Sequence, residues 1–385
     1  MSGSLEAAPT RLDELETPRL LLDVSRMEAN IGRLRAHLAG RHVGLRPHVK
    51  TAKCIEIAHR LVEGQPGGIT VSTLQEADAF AAAGFRDILY AVAIAPNAMR
   101  HAARLVRDGI ELKVILDAPE IARALAVVGQ REGVRFEVLI EVDCDGHRSG
   151  VMPEGEALVS LARLIAETPA LRFCGLMTHA GASYQSHDVA QIEAAAEAER
   201  ACLAGCARRL GGAGLHCRIV SVGSTPTALF GRAFDSITEV RAGVFVFNDL
   251  MMVNLGVATC EQIAISTLTS VIGHRSEHGW VITDSGWTAL SSDQGTASQH
   301  RNYHFGQVCD LEGNPIEGVC VSAVNQEHGI VARIDGAPLV RKEYPLGRLL
   351  RVLPIHACAT AANYAGYDLV RGSTLIGRWP RIAGR

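Results

Sequence analysis

The sequence predicts an α/β protein, a (β/α)8 TIM-type barrel with a second, mostly β C-terminal domain. Two observations carry this. Short β-rich runs end near residues 47, 71, 91, 116, 142, 178, 222 and 247, and Ala/Leu/Glu-rich stretches such as 73–83, 119–130, 154–167 and 188–210 separate them. Strands and helical spacers alternating in this way give the rhythm of a barrel. After about residue 260 the texture changes to β-branched runs at 263–272, 280–283, 319–324, 330–334 and 349–353, joined by Gly-, Asp- and Asn-rich turns. An open doubly wound sheet would alternate similarly, but no early βα turn carries GxGxxG.

The first long element is a helix over 23–40, where Val24, Met27, Ile31, Leu34 and Leu38 recur every three or four positions and Gly40 stops it. The resulting division is a flexible leader over 1–16, the barrel over 17–258 and the β-rich domain over 259–385, with the N-terminal segment a candidate addition to the last. At 385 residues, 48% hydrophobic and 21% charged, the chain is long enough for a full core and is not disordered or fibrous as a whole. Lys and Arg number 38 against 41 Asp and Glu, so no basic excess exists to meet a phosphate backbone, and nucleic acid is not an expected partner. No apolar run reaches the ~18–20 residues of a membrane helix, and the N-terminus has no basic start with an apolar stretch behind it. Ten cysteines without a CxxC pair fit a reducing compartment, so the expected location is the cytoplasm.

Four segments carry residues suited to chemistry. In Leu45-Arg46-Pro47-His48-Val49-Lys50-Thr51 a strand runs into a lysine, which at the C-terminal end of a first barrel strand sits on the face where barrel active sites form. A desolvated lysine there can form a Schiff base with an aldehyde; a snorkelling surface lysine is the alternative. Arg46, His48 and Lys50 alternate onto one face, a costly run of cations unless an anion or electrophile binds there. Ser221-Val222-Gly223-Ser224-Thr225 and Arg241-Ala242-Gly243 follow late strands, where Gly amides and Ser/Thr hydroxyls commonly take a phosphate, although each also reads as a plain turn. A phosphate anchor plus an aldehyde-trapping lysine is what pyridoxal 5'-phosphate requires. Asp143-Cys144-Asp145-Gly146-His147-Arg148 offers Arg148 to the cofactor's phenolic oxygen or a substrate carboxylate, unless it pairs with Asp143 or Asp145. Thr178-His179-Ala180-Gly181-Ala182-Ser183-Tyr184 offers His179 to stack on a ring and Tyr184 to bond one, unless both are core residues. His356-Ala357-Cys358 places imidazole and thiol at i and i+2, pointing the same way if extended, and both suit zinc. Two ligands leave positions open for water and substrate. Glu327 or His328 would orient that site from behind, or form a turn.

RPHVKTAK, ITVSTLQEA, EVDCDGHRSGV, THAGASY, VSVGSTPT, EVRAGVFVF, NQEHG and LPIHACAT occur in this order, and together they resemble the D-serine dehydratase and D-threonine aldolase family, from about Thr17 to about Tyr364. Within it the chain is most similar to zinc-dependent dehydratases. The resemblance implies an alanine-racemase-type, pyridoxal-phosphate-binding barrel with a β domain, acting on a small D-amino acid and usually homodimeric. It implies the Schiff-base lysine at Lys50, with His48 beside it, and phosphate contacts at Gly223, Ser224, Thr225 and Gly243. It also implies a cofactor contact at Arg148, ring contacts at His179 and Tyr184 with the pyridine nitrogen facing Tyr184, and metal ligation by His356 and Cys358. Aldolases of the family typically have Asp two residues after the metal-binding His; Cys358, a softer donor, favours zinc over manganese or magnesium and so the dehydratase branch. The expected reaction is loss of water from a D-β-hydroxy amino acid to give a 2-keto acid and ammonia. Retro-aldol cleavage to glycine and an aldehyde is the first alternative, and a cofactor carrier without turnover the second.

Overall fold

The computed structural model describes residues 11–65, 67–146 and 148–383. It divides into two units, one of residues up to Gly32 with Val246–Arg381, the other of Arg33–Phe245 with the last few residues.

In the second unit eight parallel strands, Gly44–Leu45, Ile69–Val71, Asp87–Ala93, Glu111–Leu116, Phe136–Glu141, Leu171–Met177, Ile219–Val222 and Glu239–Val240, hydrogen-bond in a row, the first beside the last. A bridge between His48 and Thr70, with Val49 N–H on the Thr70 carbonyl and Thr70 N–H on that of Pro47, both at 2.9 Å, closes the ring into a barrel. The helical spacers form as their periodicity predicts, at Leu74–Ala82, Pro119–Glu132, Ala157–Glu167 and Val189–Gly212. Thr73 and Asp188 cap two of them by accepting the N–H of Glu76 and Gln191. The eighth strand is misplaced in the sequence reading. The run ending near 247 is the short 3-10 turn Val244–Val246, and the strand is the two residues before Arg241.

The barrel interior is layered, as period-two alternation requires. Near the strand starts the layer is charged: Arg46 donates from Nε to Glu239 at 2.8 Å and through both Nη to Asp87 at 2.9 Å, and Lys113 reaches Asp87 at 2.7 Å. Burial alone would lower the Arg46 guanidinium, but Glu239 and Asp87 raise it above its ordinary value. Burial opposes the charge on Asp87 too, yet Arg46 and Lys113 bring its carboxyl down to about 2. Arg46 is therefore compensated by its own carboxylates, and the expectation that it faces a bound anion is wrong. Above it lies an apolar layer of Leu89, Ile115, Leu139, Cys174, Met177 and Ile219.

The other unit is built on a nine-stranded sheet in the order Trp280–Thr283, Gly329–Arg333, Pro315–Val324, Gln307–Cys309, Leu349–Leu353, Ile265–Arg275, Arg19–Asp23, Gly366–Arg371, Thr374–Pro380. Pairing of Trp280–Thr283 with Ile265–Arg275 closes the first six into a small antiparallel barrel around Val271, Val281, Val308, Val319, Val321, Val331 and Val352. Arg19–Asp23 runs antiparallel to Ile265–Arg275 and parallel to Gly366–Arg371, so the segment up to Gly32 joins this unit, as the candidate addition of the N-terminal segment has it and the 17–258 boundary does not. Residues 246–258 move likewise. The leader also ends earlier than residue 16. Arg11 bridges Thr374, and Leu12, 2% exposed, packs with Leu21, Leu268 and Val370; residues 1–10 of that reading lie outside the described residues. No helix among the described residues is long and apolar enough to cross a membrane.

Removing one member of a buried ion network leaves its partner's charge in a low dielectric. Glu239→Ala, which strips the Nε partner of Arg46, is expected to cost about 3 kcal/mol or more, read as a lowered melting temperature and denaturant midpoint.

Candidate active site

The C-terminal mouth of the barrel gathers all nine candidate cofactor residues. Lys50 lies just past the closing bridge, exposed, and among the described residues its Nζ makes no hydrogen bond or ion pair. Beside it His48 is held well below its ordinary range by burial first, and then by the charges of Lys50 and Arg241 and the His179 ring. His179 is brought down to about 4, again chiefly by burial, with Arg148, Arg241 and Lys50 adding to it. Its Nδ1–H donates to the Gly223 carbonyl at 3.0 Å, which fixes the tautomer and leaves Nε2 as acceptor. Both imidazoles are therefore neutral, and the cations of the mouth are Lys50, Arg148 and Arg241.

Arg241 has no role predicted from the sequence. It is fully buried, donates from Nη1 to Ser221 Oγ at 2.6 Å and from Nη2 to the Thr178 carbonyl, and so joins the ends of three strands. Arg148 pairs with neither Asp143 nor Asp145. Its Nη2 stands 3.9 Å from Glu141 Oε1 with the side chain half exposed, while Asp143 accepts the N–H of Gly146 and Asp145 that of Ala182.

Across the mouth, Ser224 caps the helix Thr225–Phe230 by accepting the Thr227 N–H at 3.2 Å, and its hydroxyl meets that of Ser183 at 2.8 Å. Thr225 donates its N–H to the Tyr184 hydroxyl at 3.4 Å and accepts the Phe245 N–H at 3.2 Å. Tyr184 comes from the short turn Gly181–Gln185, its ring 6.2 Å from that of His179. Two glycines permit this closeness. At Gly223, with φ +132, an added Cβ would fall 2.2 Å from the Arg241 carbonyl oxygen, and at Gly243 one would fall 2.7 Å from that of His48. Beneath the loop, buried Glu199 accepts the N–H groups of Gly223 at 2.9 Å and Ala180 at 3.0 Å and the Thr227 hydroxyl at 2.8 Å. The sequence reading missed Glu199, although it sits on the stripe Ile192, Ala196, Glu199, Leu203, Cys206, Leu210, whose three- and four-residue spacing marks a buried acid.

His356 and Cys358 lie in the other unit. His356 is extended, with φ −135 and ψ 110, but Cys358 is already inside the short helix Ala357–Ala361, so two-residue alternation is not what brings them together. His356 is the N-cap residue of this helix but its side chain makes no cap hydrogen bond, and the Cys358 thiol lies close enough to act on the imidazole. Burial would lower His356, but Asp293, whose Oδ2 accepts from Nδ1 at 2.7 Å, and Cys358 raise it to about 11. Glu327 and His328 take no part in this. They form the tight turn between two strands, where Asn325 N–H meets the His328 carbonyl and Glu327 accepts the Thr288 hydroxyl.

A phosphorylated aldehyde fits the barrel mouth. A primary amine, two neutral ring faces and the positive charges of Lys50, Arg148 and Arg241 are what such a ligand needs. The His356 and Cys358 pair fits a soft divalent cation in its donor types and in the pull of its anionic surroundings toward positive charge. Among the described residues no group of three His, Cys, Asp or Glu could hold a metal ion.

A neutral buried imidazole makes stability depend on pH. In the unfolded chain His179 protonates near 6.5, in the folded chain only near about 4, so the unfolded state binds more protons between these values and stability falls as pH drops through them. Relative to His179→Asn, the wild-type chain is expected to lose melting temperature progressively over that window and to match it above; parallel pH profiles would contradict the assignment.

The chain matches two families, "Alanine racemase, N-terminal domain" over residues 22–250 and "Putative serine dehydratase domain" over 264–370. It is 46% identical to D-threo-3-hydroxyaspartate dehydratase of Delftia sp. (strain HT23), over 96% of this chain and 98% of that one, and superposes on its solved structure with a TM-score of 0.95. That enzyme has also been solved as a histidine-to-alanine variant and as a cysteine-to-alanine variant in the metal-free form, with a TM-score of 0.94 to the latter. D-serine dehydratase of Dictyostelium discoideum is 28% identical over 95% of this chain and 96% of its own, and D-threonine aldolase of Filomicrobium marinum is 25% identical, covering 97% of this chain and 98% of that one, with a TM-score of 0.83. An alanine-racemase-type barrel continued by a serine dehydratase domain, matched at 46% identity over almost its whole length, belongs to the D-serine dehydratase and D-threonine aldolase family.

Proposed function

We propose that this chain is a pyridoxal 5'-phosphate- and zinc-dependent lyase that removes water from D-threo-3-hydroxyaspartate or D-serine and releases a 2-keto acid and ammonia. The observation that carries elimination over retro-aldol cleavage is the Cys358 thiol two residues after His356 and close enough to act on its imidazole, since a thiolate selects zinc where the aldolases typically have a carboxylate. The Delftia dehydratase supports the same reading. The histidine and the cysteine substituted in it are two positions apart, as His356 and Cys358 are.

The roles follow from the residues. Lys50 holds the cofactor through its free amine and, once displaced by the substrate's amino group, takes the Cα proton. Gly223, Ser224, Thr225 and Gly243 receive the phosphate. Arg148, with a single long ion pair, meets the cofactor's phenolic oxygen or an incoming carboxylate. Arg46 does neither, because Asp87 and Glu239 already engage it. His48 and His179 are the neutral ring contacts, and Tyr184 faces the pyridine nitrogen, a phenol that does not keep that nitrogen protonated. Bound pyridoxal 5'-phosphate supplies the sink for the electron pair left at Cα. Zinc on His356 and Cys358, in preference to manganese or magnesium, supplies a Lewis acid for the departing β-hydroxyl. The freed enamine takes up water and releases ammonia, so one water leaves and one enters. We further assign the enzyme to the cytoplasm as a homodimer, a reading supported by ten free thiols and by the family resemblance.

A product assay with D-threo-3-hydroxyaspartate, D-serine and D-threonine tests this. Keto acid and ammonia are expected, lost on chelation and restored by zinc; glycine with an aldehyde, restored best by manganese, would overturn it in favour of the aldolase. Lys50→Ala is expected to lower turnover by about 10³-fold or more and to abolish the visible absorbance of the bound cofactor. His356→Ala is expected to keep that absorbance and lose the dehydratase activity.

A further inference from the structure

The turn that carries His356 and Cys358 is held by two carboxylates from distant parts of its own unit. Asp293, 63 residues upstream of His356, accepts from His356 Nδ1 with Oδ2 at 2.7 Å and from the Gly295 N–H with Oδ1 at 2.8 Å. Asp249, only 1% exposed, accepts the N–H of Ala357, the residue between the two donors, at 3.0 Å, and its other oxygen caps Met252 at 3.0 Å. Both acids are thus engaged with the ligand pair and its backbone.

We propose that Asp293 is a positioning residue for the metal, acting through His356, with Asp249 fixing the backbone between the ligands. This rests on the zinc reading above. A neutral imidazole has two tautomers, and a carboxylate on Nδ1–H selects the one whose lone pair is on Nε2, orients the ring and makes that nitrogen a stronger donor. With two protein donors instead of the three or four of most zinc sites, each must be aimed before the ion arrives, because little else in the protein offsets a misplaced one. Asp293 is not itself a ligand here. Its Oδ2 faces the imidazole N–H, and no third His, Cys, Asp or Glu group among the described residues joins the pair to hold an ion.

The test uses the cofactor-loaded full chain and measures zinc affinity by competition with a chromogenic chelator, together with the thiolate-to-cobalt charge-transfer band after replacement by Co(II). Asp293→Ala is expected to raise the zinc Kd about 10- to 100-fold. The cobalt band should remain at saturating metal. Asp293→Asn, which keeps an oxygen for the Nδ1–H without the charge, is expected to fall between wild type and alanine, and it carries the comparison if the alanine variant does not fold. A zinc Kd within twofold of wild type, while His356→Ala loses zinc, would overturn the role of Asp293 and leave the zinc site standing. A cobalt spectrum showing one protein donor fewer in Asp293→Ala would overturn it by making Asp293 a direct ligand. A wild-type chain that holds no zinc, or a His356→Ala chain that retains it, would remove the zinc reading and this inference together.

Discussion

The chemistry of the barrel mouth depends on one buried guanidinium. Arg241 is out of water, and burial works against its charge; Glu239, Glu199 and Glu141 are the neighbours that offset this. Its hydrogen bonds to Ser221 and to the Thr178 carbonyl tie the end of the eighth strand to the ends of the sixth and seventh. Because the charge is fixed, it acts on everything around it. It helps to keep His48 and His179 neutral, and with Lys50 and Arg148 it leaves the mouth positive. The carboxylates that offset it are themselves buried, and burial raises both Glu141 and Glu199 above the usual carboxylate range. An anionic ligand is what such a mouth lacks, and this is why a phosphate-bearing aldehyde fits it better than a neutral one.

Most of the fold was legible because alternation is a local property. Seven of the eight barrel strands end within two residues of where the β-rich runs end, and the helices between them follow from apolar spacing and from caps such as Thr73 and Asp188. The failures are places where local pattern and long-range pairing part. Arg19–Asp23 buries Leu20, Leu21 and Leu22 in succession, so it shows no alternation, and its place between Ile265–Arg275 and Gly366–Arg371 is fixed by strands about 250 and 350 residues away in the chain. That pairing, not any change of composition, decides where the first unit begins. The eighth strand is two residues long, and the apolar run behind it outweighed it.

The candidate site was legible as a set of residue types and much less as a set of partners. Lys50, His48, Arg148, His179, Tyr184 and the two glycine-loop segments stand out in the sequence because each follows a strand in an unusual polar turn. Arg46 follows the same rule and fails it, because Asp87 and Glu239, which neutralise it, sit on two other strands. Glu199 carried a signal in its helical spacing that an alanine-rich helix hides. Asp293 carried none, since a carboxylate in a loop acquires meaning only when a histidine 63 residues on is folded against it.

The two units handle charge in opposite ways, and the difference matches the chemistry assigned to each. In the barrel mouth, burial strips the imidazoles of their protons, so rings and amine are presented uncharged or unpaired to an incoming ligand. At His356 the surrounding carboxylate and thiol overcome burial and draw positive charge in. A proton and a divalent cation are alternatives at such a place, so protons would compete with the proposed metal and lower pH would weaken its hold. The geometry limits that competition. Nδ1 is committed to Asp293 and the Ala357 amide to Asp249, so a metal held by His356 and Cys358 would take the place of their protons with the turn that carries them already fixed. Fixing both donors in advance lowers the ordering cost of binding, which is what a site of two protein donors, as proposed here, would need in order to hold an ion and keep positions open for a substrate hydroxyl.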